Sequence, residues 1–528
     1  MKSKSWVALF IAPVLLAQEK PGPERPLEIK LPFPKYPEPD AVLESMTRAG
    51  GFFRTHLSFA GGYARSWTRD LKEQFGEGRS APTLISIQPP GTTTVGLTMV
   101  NAHRETSDAV FLQGAKEAAQ ALMWCQYASG GWGSEFQYEL RHASRIHFRR
   151  DLLAGDTNRG NRHARSTLDD NKTQSAIRFL MELADSPAGD HVPKLREVLD
   201  FAWDGLLGAQ APNGGWPQGY SDPSDPDLPV KAASFPEDWT REFPAVDYTG
   251  FYTLNDNNLE HLMNLLLDAH RIESENPERF LEAAKRLGDF LLLAQMPEPQ
   301  PVWAQQYNFE MHPAWARKFE PPAVCSGESI GAMRTLIEIW IATGEDQYIK
   351  SIPAALAWFE RSQLKDKPKP TWARFYELQT NQPLYCEAET YLVTYDDSNL
   401  PTHYGFQLTG LERSLEKVKA IIKRDRDEIL AERKRDARLP DSEKEWSDRA
   451  RKLASKARDA MKAQKKEGYW TRDDRIDAGE FDMRMKALTE YLQAAKNGGE
   501  KFAEVRKKQR QRETEEATRE ARKRQENE

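Results

Sequence analysis

The feature that most constrains this chain is an internal repeat. Four times an amphipathic run reaches a Gln, then a short turn, then a tryptophan. The copies are AKEAAQALMWCQYASGGW at 115–132, LDFAWDGLLGAQAPNGGW at 199–216, LGDFLLLAQMPEPQPVW at 287–303 and ALAWFERSQLKDKPKPTW at 355–372. A weaker copy, ARDAMKAQKKEGYW, ends at Trp470, and Gly61-Gly62-Tyr63 marks a first one. From Tyr63 through Trp132, Trp216, Trp303 and Trp372 to Trp470 the steps are 69, 84, 87, 69 and 98 residues. Each interval has room for two helices. Second helical runs are expected at 94–103, 173–183, 258–270 and 329–342, with Leu259, Leu262, Met263, Leu266 and Leu267 at helical spacing. Strand-like alternation is scarce. Repeats of this size stack as supersecondary units, so the expected fold class is all-α: an α/α toroid, an incomplete barrel of helix hairpins with long functional loops on one rim.

Chain direction alternates in such a fold, so each tryptophan loop shares a rim with the start of the next inner helix. Two residues after the four tryptophans come Ser134, Gln218, Gln305 and Arg374. Just before inner helices come Asp169-Asp170-Asn171, Asn255-Asp256-Asn257 and Ser326-Gly327-Glu328. Taken singly, such residues cap helices. Gathered on one rim beside Arg317 and Arg374, they make a ligand site. Carboxylates at adjacent helix starts suit a hard cation such as calcium, and arginines pair with carboxylates in a planar, two-pronged way. Trp216, Tyr220, Trp303, Tyr307, Trp315 and Trp372 are placed either to stack on sugar rings or to anchor their repeats against the core. Trp216, Gln218 and Trp303 are expected to bind substrate. The combination fits an acidic polysaccharide.

The 74 basic and 80 acidic residues leave a net charge of −6, without the basic stripe that nucleic-acid binding needs. Three cysteines (Cys125, Cys325 and Cys386) are too few and scattered for a disulfide framework or a zinc site. Lys2 and Lys4, an apolar run at 6–16 and Ala17 read as an export signal over 1–17. A Pro-rich linker is expected over 18–40, the toroid over 41–497 and a solvated, charged C-terminal tail over 498–528. The protein is expected to be secreted or periplasmic, monomeric, and off the membrane once the signal is removed.

Six ordered segments carry a resemblance: TLDDNKTQSAIRFL at 167–180, NGGWPQGY at 213–220, YTLNDNNL at 252–259, PAWARKFE at 313–320, SGESIGAMRTL at 326–336 and WARFYELQTNQPLY at 372–385. With them the chain resembles the family 10 polysaccharide lyases, pectate lyases built on an α/α toroid. The resemblance implies calcium ligands at Asp169 and Asp256, a catalytic base at Arg317 and a substrate-binding arginine at Arg374. It implies anti β-elimination on polygalacturonate: the proton on carbon five leaves, the glycosidic oxygen departs from carbon four, and the product end is unsaturated. A guanidinium is effectively always protonated, so a base at Arg317 needs neighbours that lower its pKa.

Three stretches depart from the family pattern. Asp170-Asn171-Lys172 replaces a neutral step, an insertion occupies 221–248, and the residues after Tyr385 keep only a loose likeness. A toroidal glycoside hydrolase using Asp169 and Asp256 as its acid pair and a non-catalytic helical scaffold are the rival readings. The scaffold rests on the charged 410–466 stretch, which also reads as one long outer helix. A terpene cyclase would need an Asp-x-Asp-Asp tetrad, which this sequence lacks.

Overall fold

The computed structural model describes residues 27–527 apart from Asp366. The export signal and the first part of the linker fall outside the described residues. Outer helices α1 (Pro39–Phe52), α3 (Ala109–Cys125), α5 (Leu195–Gly208), α7 (Glu278–Ala294), α9 (Ile352–Ser362) and α12 (Glu443–Ala463) alternate with inner helices α2 (Thr92–Thr106), α4 (Lys172–Ala184), α6 (Asn258–Ile272), α8 (Ser326–Thr343) and α13 (Ala478–Asn497). The inner helices stand side by side in the order α13, α2, α4, α6, α8, each backed by an outer helix. Helices α10 (Leu411–Ile421) and α11 (Arg426–Ala437) pack on α8. Among the described residues the barrel is not closed. The expected all-α toroid is what the chain forms, and α2, α4, α6 and α8 cover the spans their periodicity indicates.

The repeat's letters have a mechanical meaning. The indole N–H of Trp132, Trp216, Trp303, Trp372 and Trp470 donates to a last-turn carbonyl of the outer helix before it: Leu122, Leu206, Leu291, Phe359 and Ala460, at 2.8–2.9 Å. The amides of Gln126, Gln210 and Gln464 each hold their own turn and the next outer helix, donating to Val198, Ala283 and Ser45 carbonyls respectively. Gln295 does the same through Pro301 and Ser351. The first glycine of the GGW turn lets that neighbour approach. Gly214 has φ +88°, and a Cβ there would lie 1.9 Å from the Arg286 carbonyl oxygen, a position open only to glycine. Finally, Thr92, Thr173 and Ser329 on inner helices bond the backbone of Tyr63, Trp132 and Trp303. Trp132 and Trp303 thus each lock one outer helix to one inner helix at one rim.

Two-residue strands complete that rim. Ser166–Thr167 pairs antiparallel with Gly219–Tyr220, Tyr252–Thr253 with Gln306–Tyr307, and Val324–Cys325 with Phe375–Tyr376. They are too short to show alternation in the sequence.

Two expectations are corrected. The 410–466 stretch is not one helix. It breaks at Asp425, whose carboxylate caps α11, and again before Ser442, which caps α12. The C-terminal stretch, read as a solvated and partly helical tail, is a helix docked on the body: Gly499–Asn527 forms α14. Its Phe502 is fully buried, and its Glu513 accepts from the Lys35 backbone N–H at 3.0 Å. The insertion at 221–248 lies across the body. Its Ala233 N–H donates to the Leu293 carbonyl, and its Thr240 carbonyl accepts from the Trp315 indole at 3.0 Å.

Candidate active site

Two turns at the rim are copies of one another. Leu168-Asp169-Asp170-Asn171-Lys172 leads into α4, and Leu254-Asn255-Asp256-Asn257-Asn258 leads into α6. In both, the residue two positions after a tryptophan accepts from the leucine: Leu168 N–H reaches the Gln218 carbonyl at 2.8 Å, and Leu254 N–H the Gln305 carbonyl at 2.9 Å. In both, two consecutive residues are left-handed: Asp170 and Asn171 at φ 48° and 63°, Asp256 and Asn257 at φ 53° and 56°. Asp and Asn are the residues that tolerate this conformation best after glycine, and such strain gathers at functional sites. The paired kinks bring Asp169, Asp170 and Asp256 together, with carboxylate oxygens all within 4.8 Å of one another.

Sequence reasoning pairs Asp169 with Asp256. The turns pair Asp170 with Asp256 instead, and Asp169 stands where the other turn has Asn255. Lys172 sets Asp169 apart further: its ammonium lies 2.8 Å from the Asp169 carboxylate and 3.7 Å from that of Asp170, on a side chain 4% exposed. Burial and the charges of Asp170, Asp169 and Glu328 push the Asp256 carboxyl up to about 7. Burial and the Asp169 charge also raise Asp170. Crowded carboxylate oxygens are the donors a hard cation takes, and the Lys172 ammonium, with no lone pair to give, opposes a cation rather than binding it.

Beside the carboxylates stand both expected arginines. Arg317 is half-exposed, and its guanidinium forks onto Glu320, with Nε 2.8 Å from Oε2. Glu320 is 1% exposed and also accepts from the Tyr404 hydroxyl at 2.9 Å. That fork holds the Arg317 pKa above its ordinary value, against the effect of desolvation. The condition for a base at Arg317, neighbours that lower its pKa, is therefore not met in the free site. Arg374 donates from Nε to the Gly405 carbonyl at 2.7 Å and lies 3.8 Å from Glu328. The Tyr404 ring sits under both guanidiniums, 4.6 Å from Arg374 and 5.5 Å from Arg317. The Arg317 charge acts on Asp256, and the Asp256 charge on Arg374, so carboxylates and arginines form one site.

Trp216 and Trp303 are corrected. Both are wholly buried behind the rim, with their indole N–H groups spent on outer-helix carbonyls. They anchor the repeat and offer no face to a sugar. Gln218 is at the rim, 8% exposed, with its side-chain oxygen unmatched among the described residues. Sequence reasoning missed Glu320 and Tyr404, and marked Asp170 and the Lys172 amine only as departures able to alter cation affinity or chain positioning. Glu320 had a signal, since it lies three residues after Arg317 as Glu377 does after Arg374. Tyr404 had none.

The model of the pectic acid lyase family matches residues 145–411, a span that holds every residue of the site described above. No curated protein matches the chain. Among solved structures, a mutant family 10 polysaccharide lyase from Cellvibrio cellulosa, in complex with trigalaturonic acid, is 19% identical with a TM-score of 0.43, over 62% of this chain and 98% of that one. A second structure of that lyase is 20% identical with a TM-score of 0.42, over 62% and 97%. A GH76 α-mannanase from Bacteroides thetaiotaomicron is 9% identical with a TM-score of 0.35, over 89% and 98%.

Proposed function

This chain is a polysaccharide lyase that belongs to the pectic acid lyase family, and on that premise we propose that it cleaves polygalacturonate by calcium-assisted anti β-elimination. The observation that carries the reading is the convergence of three carboxylates and two arginines on one rim. Asp170 and Asp256, with Asp169 beside them, would hold calcium, whose charge would stabilise the enolate that forms next to a sugar carboxylate. Arg374, propped by Tyr404 and the Gly405 carbonyl, presents a planar fork for a galacturonate carboxylate. Gln218 stands at the rim with its amide oxygen shielded and unmatched among the described residues, and would meet a sugar hydroxyl only by turning outward.

In this reading Arg317 takes the carbon-five proton after giving one of its own to Glu320. The pair is an ion pair in the free site, where the fork raises Arg317 and lowers Glu320. Passing one proton across the fork leaves two neutral groups, and only the loss of water when substrate covers Arg317 would favour them over two charges. The guanidine nitrogen so freed accepts the substrate proton while the bonding pair moves toward the carboxylate and the glycosidic oxygen leaves. The protein acts as a secreted or periplasmic monomer. Among the described residues no helix is long and apolar enough to cross a membrane. Mass spectrometry of polygalacturonate digests tests the reaction: products one water lighter than hydrolytic ones are expected, and fully hydrated products would refute it.

A further inference from the structure

The twin turns differ at one chemically decisive position. Lys172 begins α4 where Asn258 begins α6, and both side chains are buried. In the second turn Asp256 has no cation against it within salt-bridge distance among the described residues, and its carboxylate accepts from Asn255 Nδ2 at 2.6 Å. In the first, Asp169 is held by an ammonium at 2.8 Å. Asp170, the true counterpart of Asp256, accepts from Gln88 Nε2 at 3.0 Å and stands farther from that ammonium. Three carboxylates and one ammonium leave a charge of −2 in the cluster, the charge that one divalent cation cancels.

We propose that Lys172 is a resident cation that takes Asp169 out of the ligand set, so that the divalent ion is held by the left-handed pair Asp170 and Asp256. The inference rests on the calcium reading above and sharpens it. Lys172 stands in for part of the positive charge the cluster would otherwise draw from solution. Its presence offsets part of the repulsion among three crowded carboxylates in the metal-free protein. It also weakens attraction for a second positive charge a few ångströms away. Asp169 then orients Lys172 rather than the ion.

Calorimetric titration of calcium chloride into the full chain tests this without substrate. Lys172→Met, close in volume, should bind calcium about tenfold more tightly than wild type, because it restores a third free carboxylate. Asp170→Asn and Asp256→Asn should each weaken binding about tenfold or more, and Asp169→Asn by no more than about threefold. Melting curves check that each variant folds. If Lys172→Met fails to fold, the contrast between Asp169→Asn and Asp170→Asn still decides. The proposal is overturned if Asp169→Asn loses binding as Asp256→Asn does while Asp170→Asn keeps it, or if a folded Lys172→Met binds no tighter. If neither wild type nor Lys172→Met binds calcium, the calcium reading falls and this proposal with it, while unsaturated products from polygalacturonate would leave the lyase reading standing.

Discussion

The chain uses one six-residue pattern twice, Trp-Ala-Arg-x-aromatic-Glu, as Trp315–Glu320 and again as Trp372–Glu377. The two outcomes differ. In the second copy Trp372 is a repeat anchor, donating to the Phe359 carbonyl of α9, and Arg374 begins no ion pair with its own Glu377. In the first copy Trp315 has no outer helix to hold, and it donates to Thr240 in the insertion. Its arginine closes on its own glutamate. The insertion decides both results with adjacent residues, because Arg241, next to Thr240, pairs with Glu377. Arg374 keeps only the longer 3.8 Å approach to Glu328, which leaves it more open to a carboxylate from outside, and Arg317 is committed to one inside. On the proposed mechanism, one arginine binds and the other exchanges a proton. The pattern supplies the side chains, and the insertion assigns their partners.

The assignment can be broken most sharply at Arg317. Arg317→Ala should lower kcat on polygalacturonate by about 10²–10⁴-fold, the range for losing a positioned general base, with a lower melting temperature because the buried Glu320 loses its cation. Glu320→Gln keeps the guanidinium but removes the acceptor of its proton. We expect kcat to fall about 10²-fold with KM nearly constant; near-normal turnover would make Glu320 only a prop for Arg317. Arg374→Ala should raise KM about tenfold or more through the loss of a charge-assisted fork, with a smaller effect on kcat. An equal loss in kcat at saturating substrate would erase the division of labour between the copies.

A weaker effect concerns the carboxylates that both arginines face. Asp256 has its carboxyl pushed from an ordinary 3.8 to about 7. Between those values the folded state keeps a proton that the unfolded chain gives up, so stability in the presence of chelator should fall as pH rises through that window and level off above it. Added calcium should flatten the slope. Melting temperatures across pH, with chelator and with calcium, would show it, and a flat chelator profile would count against the crowded cluster. The smallest effect is expected from Arg241→Ala. Glu377 retains the Tyr395 hydroxyl at 2.7 Å, so a slightly lower melting temperature and turnover within about threefold of wild type are expected.

The helices were legible because burial forces apolar residues onto one face at a period the sequence displays. The Gln-turn-Trp closures were legible because the same hydrogen bonds recur in each copy. The two-residue strands left no pattern to read. In the site, Asp169, Asp256, Arg317 and Arg374 were found from helix starts and motifs. The equivalence of Asp170 with Asp256 emerges only when left-handed backbone and carbonyl partners are compared. Trp216 and Trp303 were misread because a tryptophan at a rim and a tryptophan locked behind it have the same sequence neighbours. Tyr404 comes from a stretch 30 residues beyond Arg374, and only the folded chain brings its ring under two arginines.

The central claim is that this rim eliminates rather than hydrolyses. It is tested most directly by following reducing ends and the ultraviolet absorption of unsaturated uronate together, on polygalacturonate with calcium. The account predicts that the two rise in step and that both stop in Arg317→Ala. Reducing ends that accumulate without the absorption would contradict it.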